Sequence, residues 1–148
     1  MKRITLIGML IVGLAAVVAI SVALNTGEKS PIYVSGDVEL PPEFMVDAKG
    51  IQTMFIILFD EESPMPMPYG ATKEYLKSDL TQPIVFSLTK EKLQIMRENS
   101  PSPRIMRVKV RLDKDGFGGP DQQGDLIGTV EHVNFGSTGI RVKIQQKI

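Results

Sequence analysis

Between Ile4 and Leu24 the chain carries no charged residue, and this run constrains everything that follows it. A helix of about 20 apolar residues is long enough to cross a hydrocarbon core of about 30 Å. Lys2 and Arg3 stand just before the run, and no positive charge follows it until Lys29. That asymmetry keeps the N-terminus in the cytoplasm and exports the rest. The sequence therefore divides into a transmembrane signal-anchor over residues 1–25, a short linker over 26–31 and a single domain over 32–148. The expected location is the inner (cytoplasmic) membrane, crossed once, with the C-terminal domain in the periplasm. A cleaved signal peptide is the rival reading, because Ser21-Val22-Ala23 has the small-x-small form of a cleavage site. The run exceeds the usual apolar core of a signal peptide, about 7–15 residues, and this favours retention.

What remains after the anchor suffices for one hydrophobic core. Acidic and basic residues balance at 17 each. Nucleic-acid binding, which calls for a basic surplus, is not expected. The chain has no cysteine, which removes disulfides, thiolate metal sites, thioether haem attachment and cysteine nucleophiles.

Apolar residues in the exported part recur mainly in twos or in short unbroken runs. Ile32, Val34, Val38 and Leu40 alternate with polar neighbours and predict a half-buried strand that Pro41-Pro42 ends. Thr53–Phe59 (TMFIILF) is an apolar run of strand length, suited to the middle of a sandwich. Gly70–Leu76 predicts an edge strand, and Ile84–Leu88 another short strand after Pro83. Thr89–Glu98 reads as one or two helical turns with Leu93 and Met96 on one face, or as a plain connection. Arg104–Asp113 is the clearest strand: Met106, Val108, Val110 and Leu112 point one way, Arg107, Lys109 and Arg111 the other. Asp125–Val133 and Gly139–Gln145 complete the set. About seven short strands with turn signals between them predict an all-β, antiparallel immunoglobulin-like sandwich. Arg107, Lys109, Arg111, Arg141 and Lys143 would form one basic face if their strands share a sheet.

Few residues offer chemistry. His132 is the one histidine, and a lone imidazole builds neither a triad nor an ordinary metal site. Asp113-Lys114-Asp115-Gly116 has the opening of a calcium loop, but Gly124 stands where an EF-hand requires a bidentate Glu. A turn is the better reading. Pro64, Met65, Pro66, Met67 and Pro68 alternate strictly and admit three readings. Soft thioethers select Cu(I); a proline-stiffened loop offers adaptable methionines to a partner; or a rigid connection packs its methionines on the domain edge. No companion ligands accompany the methionines, so copper ranks last and the plain connection first.

Three segments carry a family resemblance: VSGDVELPPEF at Val34–Phe44, SPMPMPYGATKEYLKSDLTQPIVFSL at Ser63–Leu88, and VKVRLDKDGFGGPDQQGDLIG at Val108–Gly128. Their order and spacing resemble the C-terminal periplasmic domain of the CycH/CcmI family of c-type cytochrome biogenesis factors. The resemblance is carried by a GxVxL-like strand, the proline-methionine loop, Lys73, Asp79 and Leu80 after it, and Gly116, Pro120, Gly124, Asp125, Leu126 and Gly128. It implies an immunoglobulin-like domain attached to the haem-ligation machinery, partnering cytochrome c maturation membrane proteins and apocytochrome c in a chaperone-like, non-catalytic role. No cofactor is implied, and the partner-binding residues would be Pro64–Pro68. Family members usually place two spans and a tetratricopeptide-repeat region before this domain; here one span joins it directly, with no helical repeat. This looks like a stand-alone or split version of the module. Two other readings stand beside it: a periplasmic copper-handling protein using Met65, Met67 and Met96 or His132, and a structural subunit of a membrane complex.

Overall fold

The computed structural model describes residues 29–77, 80 and 83–148. Among the described residues are eight strands: β1 (Ile32–Glu39), β2 (Thr53–Asp60), β3 (Gly70–Tyr75), β4 (Ile84–Thr89), β5 (Gln94–Ile95), β6 (Ile105–Asp113), β7 (Leu126–Asn134) and β8 (Ser137–Lys147). A single 3₁₀ turn, Pro42–Phe44, follows β1. Among the described residues no helix is long and apolar enough to cross a membrane. The anchor expected over residues 1–25, and residues 26–28 of the linker, lie outside them.

The strands form one curled sheet in the order β4-β1-β8-β7-β6-β2-β3-β5. At its centre the period-two pattern sets the register. Met54, Ile56 and Leu58 of β2 stand opposite Leu112, Val110 and Val108 of β6, and all six are buried. Each such side chain contributes about 1.5–3 kcal/mol through burial. The sheet curls until Val34, Val38, Phe86 and Leu88 from β1 and β4 join the same core cluster.

The strand that permits the curl is β8. It runs beside β1 up to Lys143 and beside β7 from Ile144 onward. Two glycines sit where backbones press together: a Cβ on Gly36 would lie 1.9 Å from the Ile140 carbonyl oxygen, and one on Gly128 would lie 2.3 Å from that of Lys143.

Four sequence expectations are corrected. The sheet is mixed, not purely antiparallel, because β1 runs parallel to β8; residue alternation is the same in either direction and does not encode it. An eighth strand, the two-residue β5, caps β3 at Gly70 and Ala71. It lies inside Thr89–Glu98, where in place of helical turns the chain makes a turn at Thr89–Leu93 and then the strand. Leu93 is buried and Met96 exposed, so they share no face. In β1 the inward set is Tyr33, Val34 and Val38, with Ile32 outside. A register shift between Ile32 and Val34 changes the phase of the strand, as a bulge does.

The five cations expected on one basic face lie on two strands of the one sheet. Arg107, Lys109 and Arg111 lie on β6, Arg141 and Lys143 on β8, with β7 between these strands. Most are also matched. Arg141 pairs with Asp37, Lys109 and Arg111 with Asp121, and the Arg107 guanidinium lies 4.4 Å from the Phe59 ring centroid.

Candidate functional site

The Pro64–Pro68 segment connects β2 to β3 as a loop with a clamped root and an open tip. At the root Asp60 Oδ1 accepts the Glu62 N–H at 3.1 Å, and Ser63 Oγ accepts that of Met65 at 3.2 Å. These local side-chain bonds replace the ladder the chain has left. Pro64, Pro66 and Pro68 bring no N–H groups that need partners.

Ion pairs from distant segments fix the same root. Arg97 lies 3.6 Å from Asp60, both largely buried. Arg104 grips Glu62 with two hydrogen bonds, at 2.6 and 3.0 Å, and this bonding holds the Glu62 carboxyl below its usual range. Glu61 accepts from the backbone of His132 at 2.9 Å and meets its Nδ1 at 2.7 Å. His132 has a φ of 57°, the left-handed region, at an irregularity of β7 opposite β6. Glu61 thus holds a backbone conformation that a histidine adopts at some cost.

Downstream, Tyr69 closes the loop. Its N–H donates to the Leu58 carbonyl at 2.8 Å, and its ring is buried. Its hydroxyl lies 3.3 Å from that of Tyr33, which lies 3.2 Å from Ser102 Oγ. Burial, helped by the Tyr33 hydroxyl, pushes the Tyr69 phenol above its ordinary range. The loop end is therefore knotted to the first strand.

Between root and knot the tip stays open, with Met65 51% and Met67 39% exposed. Neither methionine is a core residue. The loop overlooks two cavities on the outer face of β2 and β6. One, of about 450 Å³, is lined by Pro64, Met65 and Pro66 together with Phe59, Arg107 and His132. The other, of about 350 Å³, has Phe55 and Ile57 beneath, Pro68 and Met96 beside them, and Gly118 and Gly119 across. Of the residues considered for copper, Met65 and His132 line the same cavity, while Met96 lines the other. Among the described residues no group of three or more His, Cys, Asp or Glu side chains is placed to hold a metal ion.

Asp113-Gly116 is a turn, with Asp113 Oδ1 accepting the Gly116 N–H at 2.6 Å and Asp115 Oδ1 that of Phe117 at 2.9 Å. It starts a strap, residues 114–125, that crosses the outer face over Arg111. Arg111 is 2% exposed, although its strand phase points it away from the core. Its Nη1 donates to the Gly119 carbonyl at 2.7 Å and to Asp121 at 3.2 Å.

Sequence reasoning missed the clamps Asp60–Arg97, Glu62–Arg104 and Glu61–His132 and the Tyr33–Tyr69–Ser102 knot. Each joins residues far apart in the chain, and nothing local in the sequence pairs them. Asp79, one of the residues carrying the family resemblance, lies outside the described residues. Comparison with models of protein families, with curated proteins and with solved structures finds no match to this chain.

Proposed function

We propose that the chain is a membrane-anchored, non-enzymatic binding module of cytochrome c maturation, with the Pro64–Pro68 loop as its contact to membrane proteins of the haem-ligation machinery. The observation that carries this reading is the position of the loop. It lies at the end of the sheet where the chain enters β1 from the anchor side, tied there through Tyr33 and Tyr69. A partner embedded in the same membrane meets this end first. The clamped root limits the entropy lost on docking, and unbranched methionines adapt to an irregular surface. The motif order, which resembles that of the CycH/CcmI family, supports haem-ligation membrane proteins as the partners and apocytochrome c as the client. The same resemblance leads us to read the curled sheet as a variant of the immunoglobulin-like sandwich, with β4 and β1 packed over β6 and β2.

Replacing Met65 and Met67 together by Ser tests the contact. The side chains are exposed, so stability should change by no more than about 0.5 kcal/mol per site, while co-purification with the haem-ligation subunits should fall severalfold. Retained co-purification by a folded double variant would remove the loop from the interface.

A second reading rests on Met65 and His132 lining one cavity: a thioether and an imidazole that could share a Cu(I) ion. Competition with a chromophoric Cu(I) chelator decides it. A stoichiometric site lost in both Met65→Ser and His132→Ala would displace the binding-module reading.

A further inference from the structure

Around the point where the described chain begins, exposed apolar and basic side chains gather at one pole of the domain. Ser30 Oγ donates to Glu91, and Ile32 stands opposite Thr89 at the end of β4, which places Lys29, Lys90 and Lys92 around the entry. On the other side of β1 the Gly136 N–H donates to the Tyr33 carbonyl at 2.8 Å, and that of Phe135 to the Arg104 carbonyl at 2.9 Å. The Phe135 ring packs edge-on against Tyr33 at 4.9 Å between centroids. Ile32 nevertheless remains 40% and Phe135 38% exposed.

We propose that this pole rests on the phospholipid surface, with Ile32 and Phe135 entering the boundary between headgroups and acyl chains and Lys29, Lys90 and Lys92 meeting anionic headgroups. The inference rests on the anchored reading above and extends it to a second, lipid-facing surface beside the Pro-Met loop.

Two observations select lipid as the occupant. The first is reach. If the membrane run ends at Leu24, six residues lead to Ser30, and even fully extended they span at most about 20 Å. The domain cannot move far from the bilayer, and the pole carrying Ser30 is the one held against it. The second is composition. Lys90 forms no ion pair among the described residues, and Lys92 approaches Glu74 only at 4.0 Å. Basic side chains beside exposed aliphatic and aromatic groups match an anionic interface in which apolar groups enter about 5–10 Å. The seat also restricts rotation of the domain about its tether, keeping the loop at the height of a membrane-embedded partner.

The chain lacks cysteine, so one introduced thiol is labelled uniquely. The test uses the full chain reconstituted in phosphatidylethanolamine–phosphatidylglycerol vesicles with brominated acyl chains. Single variants Lys90→Cys and Phe135→Cys place a fluorophore at the pole, and Val46→Cys and Phe117→Cys place it at the opposite end; two positions at each end guard against a variant that misfolds. Emission at both pole positions should be quenched severalfold relative to unbrominated vesicles, and emission at the far positions should not change. A chain that fails to float with the vesicles overturns the anchor and the seat together. Flotation without quenching at the pole overturns the seat alone. Shielding at the pole in native membranes but not in pure lipid would assign that surface to a protein and likewise overturn the lipid seat.

Discussion

Gly36→Ala should cost about 3 kcal/mol or more and lower the melting temperature by about 10–15 °C. The new Cβ would sit 1.9 Å from the Ile140 carbonyl oxygen, well inside any real contact, and the obstacle is backbone, which cannot swing aside as a side chain can. The strands β1 and β8 must separate, and with them the only parallel ladder among the described residues. Gly128→Ala should behave alike, since its Cβ would lie 2.3 Å from the Lys143 carbonyl oxygen, where β8 leaves β1 for β7. The control is Gly118→Ala, whose Cβ meets nothing within 4 Å and which should shift stability by no more than about 0.5 kcal/mol. Thermal and urea unfolding of the three variants measure this. A Gly36→Ala protein that melts with the parent would show that β1 and β8 can part without loss, and that the curl does not depend on their close approach.

The two glycines mark the limit of what the sequence reveals. Period-two alternation is a local property, so β6 and β8 fall where Met106–Leu112 and Val142–Ile144 put them, on the inner face, while β2 is marked by its unbroken apolar run. It is blind to three other things. One is strand direction, because β1 has the same pattern beside β8 whether the ladder is parallel or antiparallel. The second is phase slippage: the register shift at Ile32–Val34 turns Tyr33 inward, where it becomes half of the knot that fixes the loop. The third is what covers an outward face. Arg111 reads as a solvated cation because the strap that buries it is polar and glycine-rich, with no apolar pattern to announce a packed segment. The Pro-Met loop was legible as a loop because its composition forbids a ladder. Its rigidity was not, because the clamping partners Arg97, Arg104 and His132 come from remote segments.

Replacing Arg111 by Leu should be the most damaging single change on the outer face, at about 3–5 kcal/mol. The side chain has the right phase and enough volume for an apolar substitute, so the loss comes from charge and not from a cavity. Arg111 Nε lies 3.0 Å from Asp113 Oδ2, in an ion pair lacking hydrogen-bond alignment, and the guanidinium covers the Phe55 ring at 4.8 Å. Asp113 and Asp125 are both buried. Burial already pushes the Asp113 carboxyl above its usual range, against the Gly116 N–H and Arg111, which favour its ionised form. Without Arg111 the shift grows. A carboxyl whose folded pKa exceeds its unfolded value binds protons more tightly when folded, so stability falls as pH rises from the unfolded value, about 3.9, through the folded one. Asp121 works in the opposite sense in the parent. Burial raises it, but Lys109 and Arg111 outweigh burial and the net shift is downward. Its contribution is present above pH of about 4 and is lost as pH falls through the lowered folded value. Removing Arg111 therefore weakens the term that favours neutral pH and strengthens the one that favours acid. Arg111→Leu should show its largest deficit at pH 7 and a smaller one at pH 4.5, with early amide exchange over residues 114–125. Arg111→Lys, which keeps the charge but not the fork, should fall between. An equal deficit at both pH values would mean that Arg111 acts by packing on Phe55 alone and that the buried carboxylates do not depend on it.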